Sequence, residues 1–264
     1  MWMQLLASGL LISGCRGGAS VGDTSSSDGA PMRSPPSALR VMSFNLRYDN
    51  PGDGVNAWPN RKDWVASLIR FYDTDIVGVQ EALASMLVDL DSRLPGVSRV
   101  GVGRTDGRAA GESSAILYRA DRLTLLDSGT FWLSPTPEVV GSKGWDAAIE
   151  RVATWARFRD RRSGCRFLHI NTHFDHIGEQ ARIGSARLIR RRAASLAMGL
   201  PVVMTGDLNS DPRSTAYRVL TRDTVANALP PVVVYLHGVV ADSRDGRFPS
   251  DHFPVLASVA PCGE

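Results

Sequence analysis

Short apolar runs bounded by turn-forming residues recur along the chain, and longer segments of helical periodicity lie between some of them. Several of the runs alternate apolar and polar positions, which is the period of a half-buried strand. The predicted strands are 39–46, 75–80, 113–119, 150–159, 165–172, 201–206, 232–240 and 253–259. The predicted helices are 61–72, 82–94 and 178–198. This mixture predicts an α/β or α+β fold.

The N-terminal end does not follow this pattern. An apolar run from Leu5 to Ile12 is too short to span a bilayer, and Ser13-Gly14-Cys15 follows it as a small-residue cleavage site. Because this end resembles a bacterial lipoprotein signal, residues 1–15 are predicted to be a signal peptide with a lipobox-like end. Residues 1–4 contain no Lys or Arg, and a plain secretory signal or a misassigned start codon are the alternatives.

Residues 16–38 are rich in Gly, Ser and Pro and predict a flexible linker. The folded domain is then expected to span 39–264 and to fold without residues 1–38. We expect an exported protein, lipid-anchored to the bacterial envelope or secreted, that touches a membrane only through a lipid anchor. In such an oxidising compartment Cys165 and Cys262 could pair, although the sequence does not show that they are close.

The composition is that of an ordinary globular domain, with 264 residues, 43% hydrophobic and 22% charged. We expect one domain and a monomer. The formal charge is +3, from 30 basic and 27 acidic residues, so nucleic acid is permitted as a partner but not implied. The three cysteines are too few and too scattered for a zinc site or a disulfide scaffold.

The predicted helix 178–198 carries a basic stretch that allows two interpretations. Arg187 and Arg190 to Arg192 resemble a nucleic-acid patch, but they are interleaved with apolar residues such as Ile183 and Leu188. Interleaving of this kind is typical of a solvated helix face, which is the interpretation we favour.

Five small polar clusters fall at the ends of predicted strands, where catalytic groups are often placed. They are Ser43-Phe44-Asn45, Val79-Gln80-Glu81, Asn171-Thr172-His173, Thr205-Gly206-Asp207-Leu208-Asn209 and Ser250-Asp251-His252-Phe253-Pro254. Hard oxygen ligands of this kind suit Mg²⁺ or Mn²⁺, and histidines nearby suit proton transfer. Taken singly, each cluster is as readily explained by a helix cap, a turn or a structural hydrogen bond.

The order of the clusters is more specific than any one of them. Asn, Gln-Glu, Asn-Thr-His, Gly-Asp-Leu-Asn and Ser-Asp-His-Phe-Pro is similar to the signature of the endonuclease/exonuclease/phosphatase superfamily, the deoxyribonuclease I-like proteins. The resemblance covers residues 39–260, and the stretches 45–54, 141–148 and 172–176 resemble a bacterial, mostly exported branch. It implies a four-layer α/β sandwich, two β-sheets packed face to face with helices outside, and an active site at one edge of the sheets.

The resemblance also implies a metal site and its ligands. Glu81 would be the main ligand of Mg²⁺, or of Mn²⁺ in its place, with Asn45 and Asp251 close to it. Such an ion binds through one or two carboxylates, several waters and the substrate phosphate.

The remaining residues of the signature would carry out the chemistry on a phosphorylated substrate. Asp207 would orient or deprotonate the attacking water, helped by Asn209. His252 would act as general base or electrostatic stabiliser, and His173 would donate to a non-bridging phosphate oxygen. Arg151 matches a phosphate-binding position of several family members, with a surface salt bridge as the alternative.

One stretch departs from the family pattern. Members normally have, between the Gly-Asp-Xaa-Asn and Ser-Asp-His motifs, a strand whose aspartate hydrogen-bonds the catalytic histidine. Here residues 210–249 are short for that region, and the best counterpart of the strand places Val234 at the aspartate's position. Asp242 and Asp245 are the candidates to substitute, and the sequence does not show that either reaches the histidine.

Two functions are therefore compared. The first is a metal-dependent phosphoric ester hydrolase (phosphodiesterase, nuclease or phosphatase) that uses in-line attack by water. The second is a surface-tethered pseudoenzyme of the same fold, with impaired catalysis and a binding role. Substrate identity is open, and Phe131-Trp132-Leu133, the one candidate for a membrane-inserting loop, is better explained as a buried strand.

Overall fold

Two β-sheets pack face to face, and helices cover both outer surfaces. The computed structural model describes residues 8–12, 37–221 and 233–262. The strands are β1 (Ser8–Ile12), β2 (Leu39–Asn45), β3 (Ile76–Gln80), β4 (Val97–Val100), β5 (Ile116–Arg119), β6 (Leu123–Trp132), β7 (Val152–Asp160), β8 (Arg166–His173), β9 (Val202–Asp207), β10 (Val233–Val239) and β11 (Val255–Ala260). The helices are α1 (Trp58–Phe71), α2 (Ala84–Arg93), α3 (Glu179–Ala197) and α4 (Thr215–Thr221), with a 3₁₀ helix at Pro51–Asn56.

Within the described residues, one sheet has the strand order β1-β9-β8-β7-β6 and the other has the order β10-β11-β2-β3-β5-β4. Helices α1 and α2 pack on the second sheet, and α3 and α4 pack on the first. The predicted four-layer α/β sandwich is confirmed.

Alternation of side chains along each strand divides the apolar core into three layers. In β2, Leu39 and Val41 face the opposite sheet, whereas Met42 and Phe44 pack with α1 and α2. Successive side chains of a strand point to opposite faces, so one strand contributes to two of the layers. Each fully buried large apolar side chain contributes roughly 1.5–3 kcal/mol.

Strands β4 and β6 and helix α4 were not among the predicted elements. Strand β6 has exposed or half-buried residues through its middle, including Asp127 and Ser128, so its apolar pattern is interrupted. Its end is buried, and Phe131 to Leu133 form part of the core, so the expectation of a buried strand there is confirmed. Strand β4 and helix α4 are short, with four and seven residues, and offer too little periodicity to detect.

The arginines of helix α3 lie on a solvated face, as the interleaving of arginines with apolar residues predicted. Ile183 and Leu188 are buried against the first sheet, whereas Arg187 and Arg191 are exposed. Arg192 pairs with Glu138. No helix in the described part of the chain is long and apolar enough to cross a membrane.

The apolar run near the N-terminus forms an edge strand. Strand β1 pairs antiparallel with β9, with Ser8 opposite Asp207 and Ile12 opposite Val203. This strand lies within residues 1–38, which were expected to be dispensable for folding. Cys15 and most of the predicted linker lie outside the described residues, so the lipoprotein signal stays a prediction.

The predicted equivalence of Val234 with a histidine-orienting aspartate is wrong. The backbone of β10 pairs with β11 so that Val234 lies opposite Val259, whereas His252 precedes the other end of β11 at Val255. Val255 and Val259 are four residue steps apart along the strand, a distance of about 13 Å. Asp242 does not replace it, because its carboxylate accepts a hydrogen bond from the Tyr72 hydroxyl.

A disulfide connects the two sheets. Cys165, just before β8, is bonded to Cys262, just after β11, and the two Cα atoms are 5.9 Å apart. The pairing that the sequence left open is therefore present, and it closes a loop across 97 positions of the chain.

Candidate active site

The polar clusters meet because four strands bring them to one edge of the sandwich. Strands β2 and β3 are parallel, with Asn45 opposite Gln80, and strands β8 and β9 are parallel, with His173 opposite Asp207. Parallel neighbours end at the same edge of a sheet. The two sheets place these edges together, so that residues from all four strand ends surround one cleft.

Two antiparallel strands complete the site from the other direction. Strand β11 starts where β2 ends, which places Ser250 to His252 at this edge. Strand β7 starts where β8 ends, which places Arg151 there as well. The resulting cleft has a volume of about 300 Å³.

A single amide connects two carboxylates of the site, the buried Asp207 and the half-buried Glu81. Asn45 Nδ2 donates to Glu81 Oε1 at 2.9 Å and to Asp207 Oδ2 at 3.0 Å. The second Glu81 oxygen accepts the backbone N–H of Tyr48. Glu81 has a left-handed backbone, with φ of 59°, a strained conformation that non-glycine residues adopt at functional sites. The amide therefore sits between two negative charges that lie close together.

Asn209 determines which nitrogen of His173 carries the proton. Asn209 Nδ2 donates to the carbonyl oxygen of Phe174 at 2.9 Å and lies 3.0 Å from His173 Nε2. Because an amide nitrogen is only a donor, Nε2 must accept and the ring proton must be on Nδ1. That Nδ1 is buried and has no partner among the described residues. Burial, and then the nearby Arg151 charge, hold the pKa of His173 well below its ordinary value.

His252 lies beside Asp207 but is not tightly held. Its Nδ1 is 3.5 Å from Asp207 Oδ2, and its Nε2 is 3.9 Å from Asp251 Oδ1. In the described part of the chain, Nδ1 has no hydrogen-bond partner. Asp207, which was predicted to orient the attacking water, is thus the carboxylate nearest to His252 Nδ1. Asp251 itself is half exposed at the mouth of the cleft.

Arg151 is a buried cation with unused donors. Its side chain is only 4% exposed, so the alternative of a surface salt bridge is wrong. Its Nη2 is 3.1 Å from His176 Nδ1, whereas Nε and Nη1 lack partners among the described residues. The Asp175 carboxylate is 3.9 Å from Nε, beyond hydrogen-bonding distance. Burial lowers the pKa of Arg151 to about 10, which leaves it charged at neutral pH.

Asp175 fixes the loop that leads into Arg151. Its carboxylate accepts backbone N–H groups from Ala148, Ile149, Ile177 and Gly178. Burial alone would raise the pKa of Asp175, but these hydrogen bonds outweigh it and lower the pKa. The carboxylate thereby ties the loop before β7 to the loop after β8.

The motif at 141–148 anchors the same loop on α3. Asp146 accepts the backbone N–H groups of Gln180 and Ala181 in the first turn of that helix. Trp145 packs over Gly184, where an added Cβ would lie 2.3 Å from the indole. This motif therefore positions the cleft wall and does not enter the cleft.

Asn171 belongs to one of the polar clusters but does not line the cleft. It lies between the sheets, where its Nδ2 donates to the carbonyls of Val79 and Ala115 and its Oδ1 accepts from Gln80 and Thr205. All of its hydrogen-bonding capacity is thus used within the structure. It holds the strands that carry Glu81 and Asp207 in register with one another.

All the predicted site residues converge on the cleft. Asn45 lies beneath it, and the others line it: Glu81, Arg151, His173, Asp207, Asn209, Asp251 and His252. Their individual roles stay predictions. The walls also include residues to which the sequence assigned no role, namely Arg47, Tyr48, Glu112, Ile149 and His176. Arg47, Tyr48 and His176 fall in stretches that resembled the bacterial branch, but nothing in the sequence pointed to Glu112.

A small recess adjoins the cleft. Glu81, Glu112, Arg151 and His173 belong to both spaces, and Arg104 belongs to the recess. Arg104 and Glu112 are held by two hydrogen bonds of 2.8 and 2.9 Å. The recess holds only about 10 Å³, enough for one water.

Comparisons with known proteins agree with this geometry. The profile of the Endonuclease/Exonuclease/phosphatase family matches residues 42–257. A solved endonuclease/exonuclease/phosphatase from Bacteroides vulgatus is 38% identical, with a TM-score of 0.80, and the match covers 85% of this chain and 99% of that chain. A mannosyl-6-phosphatase from Bacteroides thetaiotaomicron is 34% identical, with a TM-score of 0.78, covering 84% and 99%.

A curated relative is more distant. A protein of Acanthamoeba polyphaga mimivirus is 25% identical over an alignment of 228 positions, which covers 71% of this chain and 33% of the viral protein. The chain thus spans about a third of that relative. Because the family profile matches most of the chain and the two bacterial structures align over nearly their whole length, the chain belongs to the endonuclease/exonuclease/phosphatase family.

Proposed function

We propose that the protein is a metal-dependent hydrolase of phosphate esters that acts on phosphomonoesters. The observation that carries the proposal is the buried guanidinium of Arg151, which belongs to the cleft wall and has two donors without a partner among the described residues. A buried cation with unsatisfied donors destabilises the folded protein unless an anion binds to those donors. A phosphoryl group supplies such an anion, with oxygens that match the guanidinium fork.

The surrounding residues support in-line attack by water. Arg151 binds one non-bridging oxygen of the phosphoryl group, and the Nδ1–H of His173 donates to another. Asp207 orients the water, whose oxygen bonds to phosphorus as the bond to the leaving oxygen breaks. The water proton passes to Asp207 or to the adjacent His252, and the leaving alkoxide takes up a proton. Positioning and charge stabilisation of this kind provide most of the rate in phosphoryl transfer.

The residues present fit a hard divalent cation. In the described part of the chain no three His, Cys, Asp or Glu side chains converge as a preformed metal site. Magnesium does not need one, because it binds through one or two carboxylates and keeps several waters. Glu81 would hold it, with Asn45 and Asp251 nearby. When bound, the ion neutralises phosphate charge as a Lewis acid.

Two observations favour a monoester over a diester. The recess at Arg104 and Glu112 adjoins the cleft and holds only about 10 Å³, which is too small for a second esterified group. The similar Bacteroides thetaiotaomicron protein is described as a mannosyl-6-phosphatase. A nuclease would in addition need a basic groove along its surface, and the net charge of +3 gives little support for one.

The test compares p-nitrophenyl phosphate with bis-p-nitrophenyl phosphate, using the full chain with Mg²⁺ and with EDTA. We expect faster turnover of the monoester, loss of turnover in EDTA, and a decrease of at least about 10²-fold in Glu81→Ala. Wild-type turnover no higher than that of Glu81→Ala would refute the hydrolase. Faster cleavage of the diester would refute the monoester preference only.

A second candidate is a pseudoenzyme that binds phosphorylated ligands without turnover. It is favoured by the unpartnered Nδ1 of His252, since a carboxylate that orients a catalytic imidazole can be worth orders of magnitude in rate. The same assay separates the two functions. Binding of inorganic phosphate without turnover of either ester would favour the pseudoenzyme.

We also propose that the protein is exported and lipid-anchored through Cys15. The Cys165–Cys262 disulfide supports an oxidising compartment. Cells labelled with a palmitate analogue should tag the wild type and not Cys15→Ser. An unlabelled, cytoplasmic wild type would contradict both the anchor and the export.

A further inference from the structure

A second cavity adjoins the proposed catalytic cleft. It has a volume of about 400 Å³, within the range of small-molecule sites. Arg47 and Asp251 belong to the walls of both spaces. The cleft shares Glu81, Arg151 and His173 with the closed recess on its other side. Among the described residues, the recess, the cleft and the second cavity thus form a connected series with the phosphate position in the middle.

The second cavity has several polar groups in its wall. Asp53 accepts two hydrogen bonds from Arg47, at 2.9 and 3.0 Å. Asp251 is half exposed at the boundary with the cleft. The side-chain amide of Asn56 makes no hydrogen bond within the described part of the chain, and it belongs to the same wall. Two carboxylates, an amide and the guanidiniums of Arg47, Arg61 and Arg247 in one wall offer acceptors and donors.

An aromatic ring forms the apolar part of the wall. Phe248 lines the cavity and is fixed by Phe253, with ring centroids 4.9 Å apart and an interplanar angle of 89°. This edge-to-face pair leaves a face of the Phe248 ring free of its partner. The cavity therefore combines a rigid apolar surface with hydrogen-bonding groups.

Arg61 holds the two sides of the cavity at a fixed distance. Its buried guanidinium donates to the carbonyls of Leu46, Arg47 and Asn56 on one side and of Pro249 on the other. A cation that connects separate loops in this way makes the cavity preformed rather than induced. Preformed, mostly enclosed cavities are the usual form of small-ligand sites.

We infer that the second cavity binds the sugar of a sugar phosphate whose phosphoryl group occupies the cleft. The inference rests on the proposed phosphomonoesterase function. Vicinal hydroxyls donate to carboxylates such as Asp53 and Asp251 and pair with an amide such as Asn56, while the carbon face of the sugar ring lies on Phe248. The same wall carries Arg47, Arg61 and Arg247 beside the two carboxylates, so a neutral polyhydroxyl group meets both donors and acceptors there.

The test measures kcat/KM of the full chain for mannose 6-phosphate, glucose 6-phosphate, adenosine 5′-monophosphate and acetyl phosphate. Acetyl phosphate presents the same phosphoryl group but is too small to fill the second cavity. We expect a hexose phosphate to be the best of these substrates. Asn56→Ala and Phe248→Ala should each lower its kcat/KM about tenfold, mainly through KM, with acetyl phosphate unchanged.

Two variants serve as matched controls. Val55→Ala changes an exposed neighbour of Asn56, and Phe71→Ala removes an exposed phenylalanine; neither residue lines the cavity. Both should leave every substrate unaffected. Calorimetric binding of mannose 6-phosphate provides a readout that does not need turnover, and Phe248→Ala should weaken it about tenfold.

The outcomes distinguish this inference from the proposed function. Turnover of acetyl phosphate without a preference for a hexose phosphate, or a preference for the nucleotide, would overturn the sugar site and leave the hydrolase intact. Equal losses for acetyl phosphate and the hexose phosphate in Asn56→Ala and Phe248→Ala would also overturn it. No turnover of any substrate would refute the proposed function, and unchanged calorimetric binding in Phe248→Ala would then refute the site.

Discussion

At the scale of single residues, neighbouring groups determine which atoms of the site side chains carry a proton. Asn209 donates to the Phe174 carbonyl and thereby presents an N–H to His173 Nε2. His173 is left with its proton on Nδ1, which has no partner in the described structure. The proposed donor to the phosphate is thus fixed before substrate binds.

Replacing Asn209 with Ala should release this constraint. The His173 ring would sample both tautomers, and kcat should fall by about 10–100-fold, because a catalytic imidazole in the wrong tautomer loses most of its activity. Nitrogen NMR of the His173 ring distinguishes Nδ1–H from Nε2–H and provides a readout separate from rate. A ring that stays in the Nδ1–H form in Asn209→Ala would contradict the role assigned to Asn209.

His169 makes a pH-dependent contribution to stability. Thr205 donates its hydroxyl proton to Asn171, so His169 Nε2 must donate to the Thr205 oxygen, and Nδ1 is buried without a partner in the described chain. Burial lowers the pKa of His169 to about 3, against about 6.5 in the unfolded chain. Between these values the unfolded state binds a proton that the folded state does not, so stability falls as pH falls below about 6.5.

Urea unfolding at pH 7 and pH 5 measures this effect. His169 alone should remove about 2 kcal/mol over that interval, and His169→Gln should remove that part of the pH dependence. His237 is exposed on β10, so His237→Gln serves as the control and should leave the dependence unchanged. An unaltered dependence in His169→Gln would show that other groups cause it.

At the scale of elements, the strand β9 that carries Asp207 has β1 as its outer neighbour. Met204 to Asp207 pair with residues Ser8 to Leu11, and these backbone groups would otherwise form an unpaired edge. Cleavage of a lipoprotein signal before Cys15 would remove β1. The predicted signal peptide, residues 1–15, therefore includes the residues that form β1.

Deleting residues 1–15 should expose the edge of β9. We expect the free energy of unfolding to decrease by about 2 kcal/mol, or roughly 4–8 °C in Tm, because several backbone hydrogen bonds are lost. Deleting residues 1–7 leaves β1 in place and is the matched control. Equal thermal stability of the two truncated chains would show that β1 contributes nothing.

At the scale of the whole molecule, the disulfide joins the two sheets near the ends of β8 and β11, opposite the cleft. Replacing both Cys165 and Cys262 with Ala should lower the free energy of unfolding by about 2–4 kcal/mol, because a long loop in the unfolded chain is no longer closed. Activity at 25 °C should be unchanged, since neither sulfur lies near the cleft. A double variant as stable as the wild type in urea would contradict this contribution.

In the sequence by itself, periodicity predicted the α/β mixture, and the resemblance to the family predicted the sandwich and the members of the site. The alternation in β2, with Leu39 and Val41 against Met42 and Phe44, and the periodicity of α3 follow from local geometry that any observer of the sequence can apply. The order of the clusters from Asn45 to His252 identified the residues that meet in the cleft. Strands β4 and β6 were not predicted, because their apolar runs are short or interrupted and leave no clear local periodicity.

Features that depend on contacts between distant segments were decided only by the tertiary structure. It showed that Asn171 serves the inter-sheet network and not the cleft, that Val234 pairs far from His252, and that Ser8 to Ile12 extend the first sheet. The recess and the second cavity likewise have walls drawn from separate loops. Register, strand order and loop packing arise from long-range pairing, and the identity of a residue does not encode which distant partner it meets.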